Sequence, residues 1–83
     1  MQPKIQEIQG FTMYPNPAMG NEIYITTLET GAKKISVFDV FGEIVLQTTI
    51  TTNTLNIARL VPGVYVLQVL QGSKKVTRKL VVK

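Results

Sequence analysis

The 83-residue chain contains no cysteine, no histidine and no tryptophan. These absences exclude disulfides, thiolate or imidazole metal sites, cysteine nucleophiles and any catalytic triad with a histidine base. The five carboxylates are scattered and form no acid–base pair of defined spacing. A chain of this size buries only about 60% of its unfolded surface, which leaves little room for an enclosed active site beside a core. We therefore expect a binding, anchoring or structural module without enzyme activity or cofactor.

Long apolar runs are also missing. No stretch approaches the roughly 18 uncharged apolar residues that span a bilayer, and the first residues lack the apolar run of a signal peptide. The chain is therefore expected either to stay in the cytoplasm or to come from a longer exported precursor. Residues 1–10 show no clear periodicity and are interpreted as a linker or an added start, with the domain over residues 11–83.

The charge is distributed unevenly along the chain. Residues 1–58 carry three lysines against five acids, a net charge of −2, whereas residues 59–83 carry six basic residues and no acid, a net charge of +6. Such a segment suits nucleic acid, an anionic lipid or polysaccharide, or an acidic patch on a protein. It also suits an edge strand that is kept soluble by its charges. Nucleic acid is not expected, because no aromatic residues are interleaved for stacking on bases.

The composition predicts an all-β domain, because threonine, valine and isoleucine supply 28 of the 83 residues. Apolar alternation and turn residues predict seven strands, at residues 11–14, 22–27, 34–38, 44–50, 54–57, 64–70 and 75–82. This spacing fits an antiparallel sandwich of two sheets. Val64, Val66 and Leu70, if they face outward, would form an apolar strip suited to weak self-association.

Several positions have predicted structural roles. Tyr14 is expected in the core with its hydroxyl at the rim, and Tyr65 in the core beside Leu67 and Val69. Asp39 and Gly42 predict a hairpin turn, because aspartate bonds the backbone two residues on and glycine accepts a positive φ. Pro62 and Gly63 predict a type II turn, in which Gly63 supplies backbone freedom.

A family resemblance is carried by motifs in a fixed order. These are Tyr14-Pro15-Asn16-Pro17-Ala18, the pair Ile23 and Ile25, Ile35-Ser36-Val37-Phe38-Asp39-Val40-Phe41-Gly42, Leu60-Val61-Pro62-Gly63-Val64-Tyr65, and Lys79-Leu80-Val81-Val82-Lys83. In this order they make residues 11–83 resemble the type A C-terminal sorting domain of the type IX (Por) secretion system of Bacteroidetes. Glu43 departs from the pattern, since the family usually has arginine or lysine there.

The resemblance implies an immunoglobulin-like sandwich of about seven strands, fused to the end of a secreted cargo enzyme or adhesin. It further implies transit through the periplasm and across the outer membrane, with an outer-membrane β-barrel shuttle protein reading the end of the domain. A sortase-like peptidase would then cut in the flexible stretch before Phe11 and anchor the cargo at the cell surface.

The predicted partner-binding segment is Lys79, Leu80, Val81, Val82 and Lys83. Folding explains the apolar residues but not the lysines that bracket them, so we expect recognition through the terminal carboxylate, the side chains or strand-like backbone pairing. The competing explanation is protective charge on an edge strand. The other family positions are expected to be mainly structural: Tyr14, Pro15, Asn16, Pro17, Asp39, Gly42, Gly63 and Tyr65.

An alternative function is a carbohydrate-binding or adhesive sandwich appended to a secreted enzyme. Sites of that kind usually expose aromatic rings on one face. Only three tyrosines and three phenylalanines are present, and most occupy predicted core positions.

Overall fold

The computed structural model describes residues 7–83. It contains seven strands: β1 (Thr12–Tyr14), β2 (Glu22–Thr26), β3 (Lys33–Phe38), β4 (Ile44–Ile50), β5 (Thr54–Asn56), β6 (Gly63–Gln71) and β7 (Lys74–Val82). Each lies within one residue of its predicted bounds. The all-β prediction is confirmed.

The strands form two antiparallel sheets. The smaller sheet has the order β1-β2-β5 and the larger one β4-β3-β6-β7. Alternate residues of each sheet face the other sheet and are buried: Ile23, Ile25 and Leu55 from the smaller sheet, and Ile35, Val37, Leu67, Val69 and Leu80 from the larger one. This two-layer arrangement is the predicted immunoglobulin-like sandwich, with its core between the sheets.

The turn between β3 and β4 is built as predicted. The Asp39 carboxylate accepts hydrogen bonds from the backbone N–H of Phe41 at 2.9 Å and of Glu43 at 3.0 Å. Gly42 has a φ of +84°, in the left-handed region that favours glycine. The turn is therefore held by the Asp39 carboxylate, by backbone hydrogen bonds and by the positive φ of Gly42, and the apolar side chains of Val40 and Phe41 form no hydrogen bond in it.

Tyr65 is a core residue, as predicted, and its hydroxyl donates to the carbonyl of Val61 at 2.5 Å. The interpretation of Gly63 is wrong. Its φ is not positive, because β6 already begins there in extended backbone, and the type II turn is absent. A Cβ at Gly63 would lie 3.8 Å from the Tyr65 ring, an ordinary contact, so neither space nor backbone conformation requires glycine.

Tyr14 is not in the core, contrary to the prediction. It lies opposite Tyr24 in the β1–β2 register, and the neighbours of Tyr24, Ile23 and Ile25, face inward. Because side chains alternate along a strand, both tyrosines face outward. Tyr14 is 49% exposed, and the two ring centroids are 5.4 Å apart.

Part of the predicted linker is packed against the domain. Ile8 is only 5% exposed, and the carbonyl of Gln9 accepts a hydrogen bond from the N–H of Leu28 at 3.0 Å. Glu7 forms an ion pair with Arg78 at 3.3 Å. The flexible stretch expected before Phe11 therefore does not include residues 7–10, and residues 1–6 lie outside the described part of the chain.

Candidate partner-binding surface on the last strand

Strand alternation divides the predicted partner-binding segment between two environments. Leu80 is fully buried and Val82 nearly so, which places both in the core and out of reach of a partner while the domain is folded. Lys79 and Lys83 are exposed and Val81 is half-buried on the outer face of the larger sheet. Side-chain recognition of this segment in the folded domain is therefore limited to Lys79, Val81 and Lys83.

The outer edge of β7 is covered by residues 15–18, which we call the strap. The Asn16 amide donates to the carbonyl of Lys79 at 2.9 Å and accepts from the N–H of Val81 at 3.0 Å. Ala18 donates to the carbonyl of Val81 at 2.7 Å and accepts from the N–H of Lys83 at 2.8 Å. The backbone groups that an added strand would use here already have partners.

The strap gives Asn16 a role that the sequence did not reveal. An amide side chain offers one acceptor and two donors, so it can satisfy the N–H and C=O that a strand edge presents. The flanking Pro15 and Pro17 lack N–H groups and follow cis peptide bonds. A signal was present in the Pro-Asn-Pro pattern, which places a polar amide between two rigid residues. It did not indicate which strand the amide contacts.

Arg78 covers the edge of β7 further back along the strand. Its guanidinium donates to the carbonyl of Thr77 at 3.0 Å and lies 5.4 Å from the centre of the Phe11 ring. The guanidinium thus caps one outward carbonyl and shields the half-buried ring at the same time. Together with the strap, this contact gives partners to the outward carbonyls of Thr77, Lys79 and Val81 and to the N–H groups of Val81 and Lys83.

The basic residues differ in how they are used. Lys74 forms an ion pair with Glu29 at 2.5 Å. Lys33 is buried, and its ammonium donates to the carbonyl of Thr52 at 3.0 Å and to Asn53 Oδ1 at 2.9 Å. Burial lowers the pKa of Lys33 below its usual value. Within residues 7–83, Lys79 and Lys83 form no ion pair, so their charges are available to a partner.

An apolar strip lies beside these lysines. Val66 pairs with Lys79 and Val64 with Val81 across β6 and β7. Val64 and Val66 are exposed, as the outward-facing interpretation required, and Leu70 is half-buried. The outer face of the last strand thus combines unpaired positive charge with exposed apolar surface.

The opposite side of the sandwich holds a cleft of about 410 Å³ between β4 and β5. It is lined by Leu46, Gln47, Thr48, Ile50, Thr54, Leu55, Asn56 and Arg59. Over residues 7–83, no three histidine, cysteine or acidic residues lie close enough together to hold a metal ion. The same part of the chain has no helix long and apolar enough to cross a membrane.

Comparison with known proteins assigns the family. A family model described as "Secretion system C-terminal sorting domain" matches residues 12–83. The chain belongs to this family. Sorting domains of this kind are signals for the type IX secretion system and are not catalytic, so this sorting domain directs export to the cell surface or beyond.

Among solved structures, the sorting domain is similar to part of PorZ, described as an essential bacterial surface component of the type IX secretion system of human oral-microbiomic Porphyromonas gingivalis. The identity is 22% and the TM-score 0.67, over 89% of this chain and 11% of that one. This likeness supports the fold. No curated protein matches the sorting domain.

Proposed function

We propose that this domain carries a fused cargo across the outer membrane through the type IX system, and that an outer-membrane β-barrel shuttle protein reads its last strand. The observation that carries the proposal is the outer face of β7, where Lys79 and Lys83 stand unpaired around Val81 beside an apolar strip. Folding uses the inward residues of β7 and leaves these outward ones unexplained.

Recognition through side chains fits this geometry better than backbone pairing. The carbonyls of Lys79 and Val81 and the N–H groups of Val81 and Lys83 bond to Asn16 and Ala18. A receptor strand added at this edge would first have to displace the strap. The outer face needs no such rearrangement, so we assign recognition to the lysine ammonium groups and Val81.

Removal of the domain by a sortase-like peptidase, with anchoring of the cargo at the cell surface, is the second part of the proposal. A protease cleft takes up extended backbone that is free of other contacts. Glu7 is ion-paired with Arg78, Ile8 is buried and Gln9 is hydrogen-bonded, so we propose a cut on the N-terminal side of Glu7.

The test uses a reporter with an N-terminal signal peptide and this domain at its C-terminus, produced in a bacterium with a type IX system. Lys79→Glu combined with Lys83→Glu should leave the reporter in the periplasm. The matched control is Lys34→Glu combined with Lys75→Glu, because those lysines lie at the other end of the same sheet and give the same change in net charge. Equal export of both variants would contradict the proposal. Deleting residues 79–83 is unsuitable, because it also removes Leu80 and Val82 from the core.

A second candidate function, carbohydrate binding, is favoured by one observation. Tyr14 and Tyr24 form an exposed pair of rings on the outer face of the smaller sheet. The pair offers a stacking surface for a sugar, whereas Tyr14 had been predicted to lie in the core. Binding to a glycan array that disappears in Tyr14→Ala combined with Tyr24→Ala would support this function, and an array without signal would contradict it.

A further inference from the structure

The exposed apolar side chains of the larger sheet are concentrated at one end. This is the end where β3 and β7 finish and β4 and β6 begin, and we call it the hairpin end. Its exposed apolar residues include Val40, Phe41, Ile44, Val64 and Val66. Phe41 is 87% exposed at the tip of the β3–β4 turn.

The other end of the same sheet has a different character. Its outer surface carries Lys34, Thr49, Ser73 and Lys75, and Lys74 is paired there with Glu29. Polar and charged residues are typical of a soluble surface, and Lys34 and Lys75 form no ion pair within residues 7–83. The apolar character of the hairpin end is therefore a local feature and not a general property of this sheet.

Folding does not account for the residues at the tip. The turn is held by the Asp39 carboxylate and by the positive φ of Gly42, so the side chains of Val40 and Phe41 are free to be polar. Large apolar residues in such a position lower solubility without adding to the core. Their presence points to burial against another molecule.

The charges at the hairpin end indicate the character of that molecule. Glu43 lies at the β4 edge, whereas Lys79 and Lys83 lie at the β7 edge, three strand spacings or about 14 Å away. Asp39, the other acid of the turn, accepts two backbone hydrogen bonds. The β7 side of the surface therefore carries positive charges that form no ion pair within residues 7–83. Carboxylates on a binding partner would complement these charges.

We propose that the hairpin end docks onto a folded protein of the secretion machinery, which supplies an apolar pocket for Val40 and Phe41 and carboxylates facing Lys79 and Lys83. This inference rests on the proposed function. It extends the recognition surface, so that the surface includes the β3–β4 turn as well as β7. Val64 and Val66 form the apolar connection between the two parts.

The first experiment measures export of the same reporter with Phe41→Ser, Val64→Thr and Val66→Thr combined. We expect export to fall at least tenfold while the thermal unfolding temperature of the purified domain stays within a few degrees of the parent. Leu28→Ser is the control, because Leu28 is an exposed apolar residue away from the hairpin end. If the parent itself is not exported, the proposed function fails. If the parent and the hairpin-end variant are exported equally, only this inference fails.

The second experiment places the photo-crosslinking residue benzoyl-phenylalanine at position 41, with position 28 as control, in the exporting bacterium. A crosslink from position 41 to an envelope protein of the secretion system, which weakens in Lys79→Glu combined with Lys83→Glu, supports the inference. A crosslink only to a second copy of the domain, only to lipid, or equally from position 28 overturns it.

Discussion

The two sides of the sandwich differ in how their edge strands are covered. Each side brings together one edge strand from each sheet: β1 and β7 on one side, β4 and β5 on the other. On the first side, the strap and Arg78 bond to outward backbone groups of β7 from Thr77 to Lys83, including the carbonyls of Thr77, Lys79 and Val81. On the second side, the edges stay apart and a cleft opens between them. The chain thus protects the strand that carries its candidate recognition residues and leaves the other edge open.

This difference bears on how the domain is recognised. An uncovered edge strand pairs with other strands without regard to sequence, which is a route to aggregation. Covering the β7 edge removes that route and leaves the side chains of the outer face as the distinguishing features. Selective recognition of β7 is therefore expected to depend on which side chains it displays.

The largest expected effect comes from Ala18→Asp. Ala18, the last residue of the strap, is fully buried against β7, so the new carboxylate would be buried without a partner. We expect a loss of about 3 kcal/mol in the free energy of unfolding, measured by urea denaturation. Thr49→Asp, an exposed position on the open side, should change it by less than about 0.5 kcal/mol. Equal losses would show that the two sides are not different.

Ile8→Ala tests whether the residues before β1 belong to the closed side. Removing most of a buried isoleucine should cost about 2 kcal/mol, again from urea denaturation. The control is Leu28→Ala, because Leu28 is an exposed residue whose backbone bonds to Gln9. If Ile8→Ala lowers the free energy of unfolding no more than the control does, residues 7–10 are better described as part of the linker.

Asn16→Ala should loosen the strap without disturbing the core. The variant loses two exposed hydrogen bonds to β7, for which we expect about 1 kcal/mol. Hydrogen exchange at the Val81 amide should become about fivefold faster as that free energy is lost locally. Asn56→Ala on the open side removes a bond to Ala58 and should leave Val81 unchanged. Unchanged exchange in Asn16→Ala would contradict the assigned role of the strap.

The smallest effect concerns Lys33, which links β3 to the loop beside the open side. Burial lowers its pKa, so the unfolded chain holds this proton up to about pH 10.4 while the folded domain releases it earlier. The unfolded state then binds more protons, and stability gains from this group as pH rises toward that value. The free energy of unfolding of the parent should therefore rise relative to Lys33→Met between pH 8 and pH 10. Parallel curves would contradict this, and the exposed Lys34→Met is the control.

Sequence reasoning succeeded where the determining interactions are local. The alternation of apolar residues along 44–50 and 75–82 predicted β4 and β7 correctly, because a strand directs successive side chains to opposite faces. Asp39 and Gly42 predicted the β3–β4 turn correctly, because their effects on the backbone extend over only a few residues. Lys79 and Lys83 were visible as a charge pattern that folding does not require.

Three features depended on distant partners and were missed. The contact of Asn16 with β7 joins residues 63 and 65 positions apart, which no local pattern reveals. The outward direction of Tyr14 is fixed by its register with Tyr24 and not by its own short strand. Ile8 is a single buried residue in a stretch without periodicity, so nothing marked it as part of the core.

The contact between the strap and β7 has a consequence for biosynthesis. Asn16 and Ala18 leave the ribosome before Lys79, Val81 and Lys83, whose backbone groups they bind. A product that stops before β7 lacks both the closing strand and the core residues Leu80 and Val82. The closed shape thus requires that β7 has been made, and machinery that accepts only this shape would leave behind cargo whose domain stops before β7.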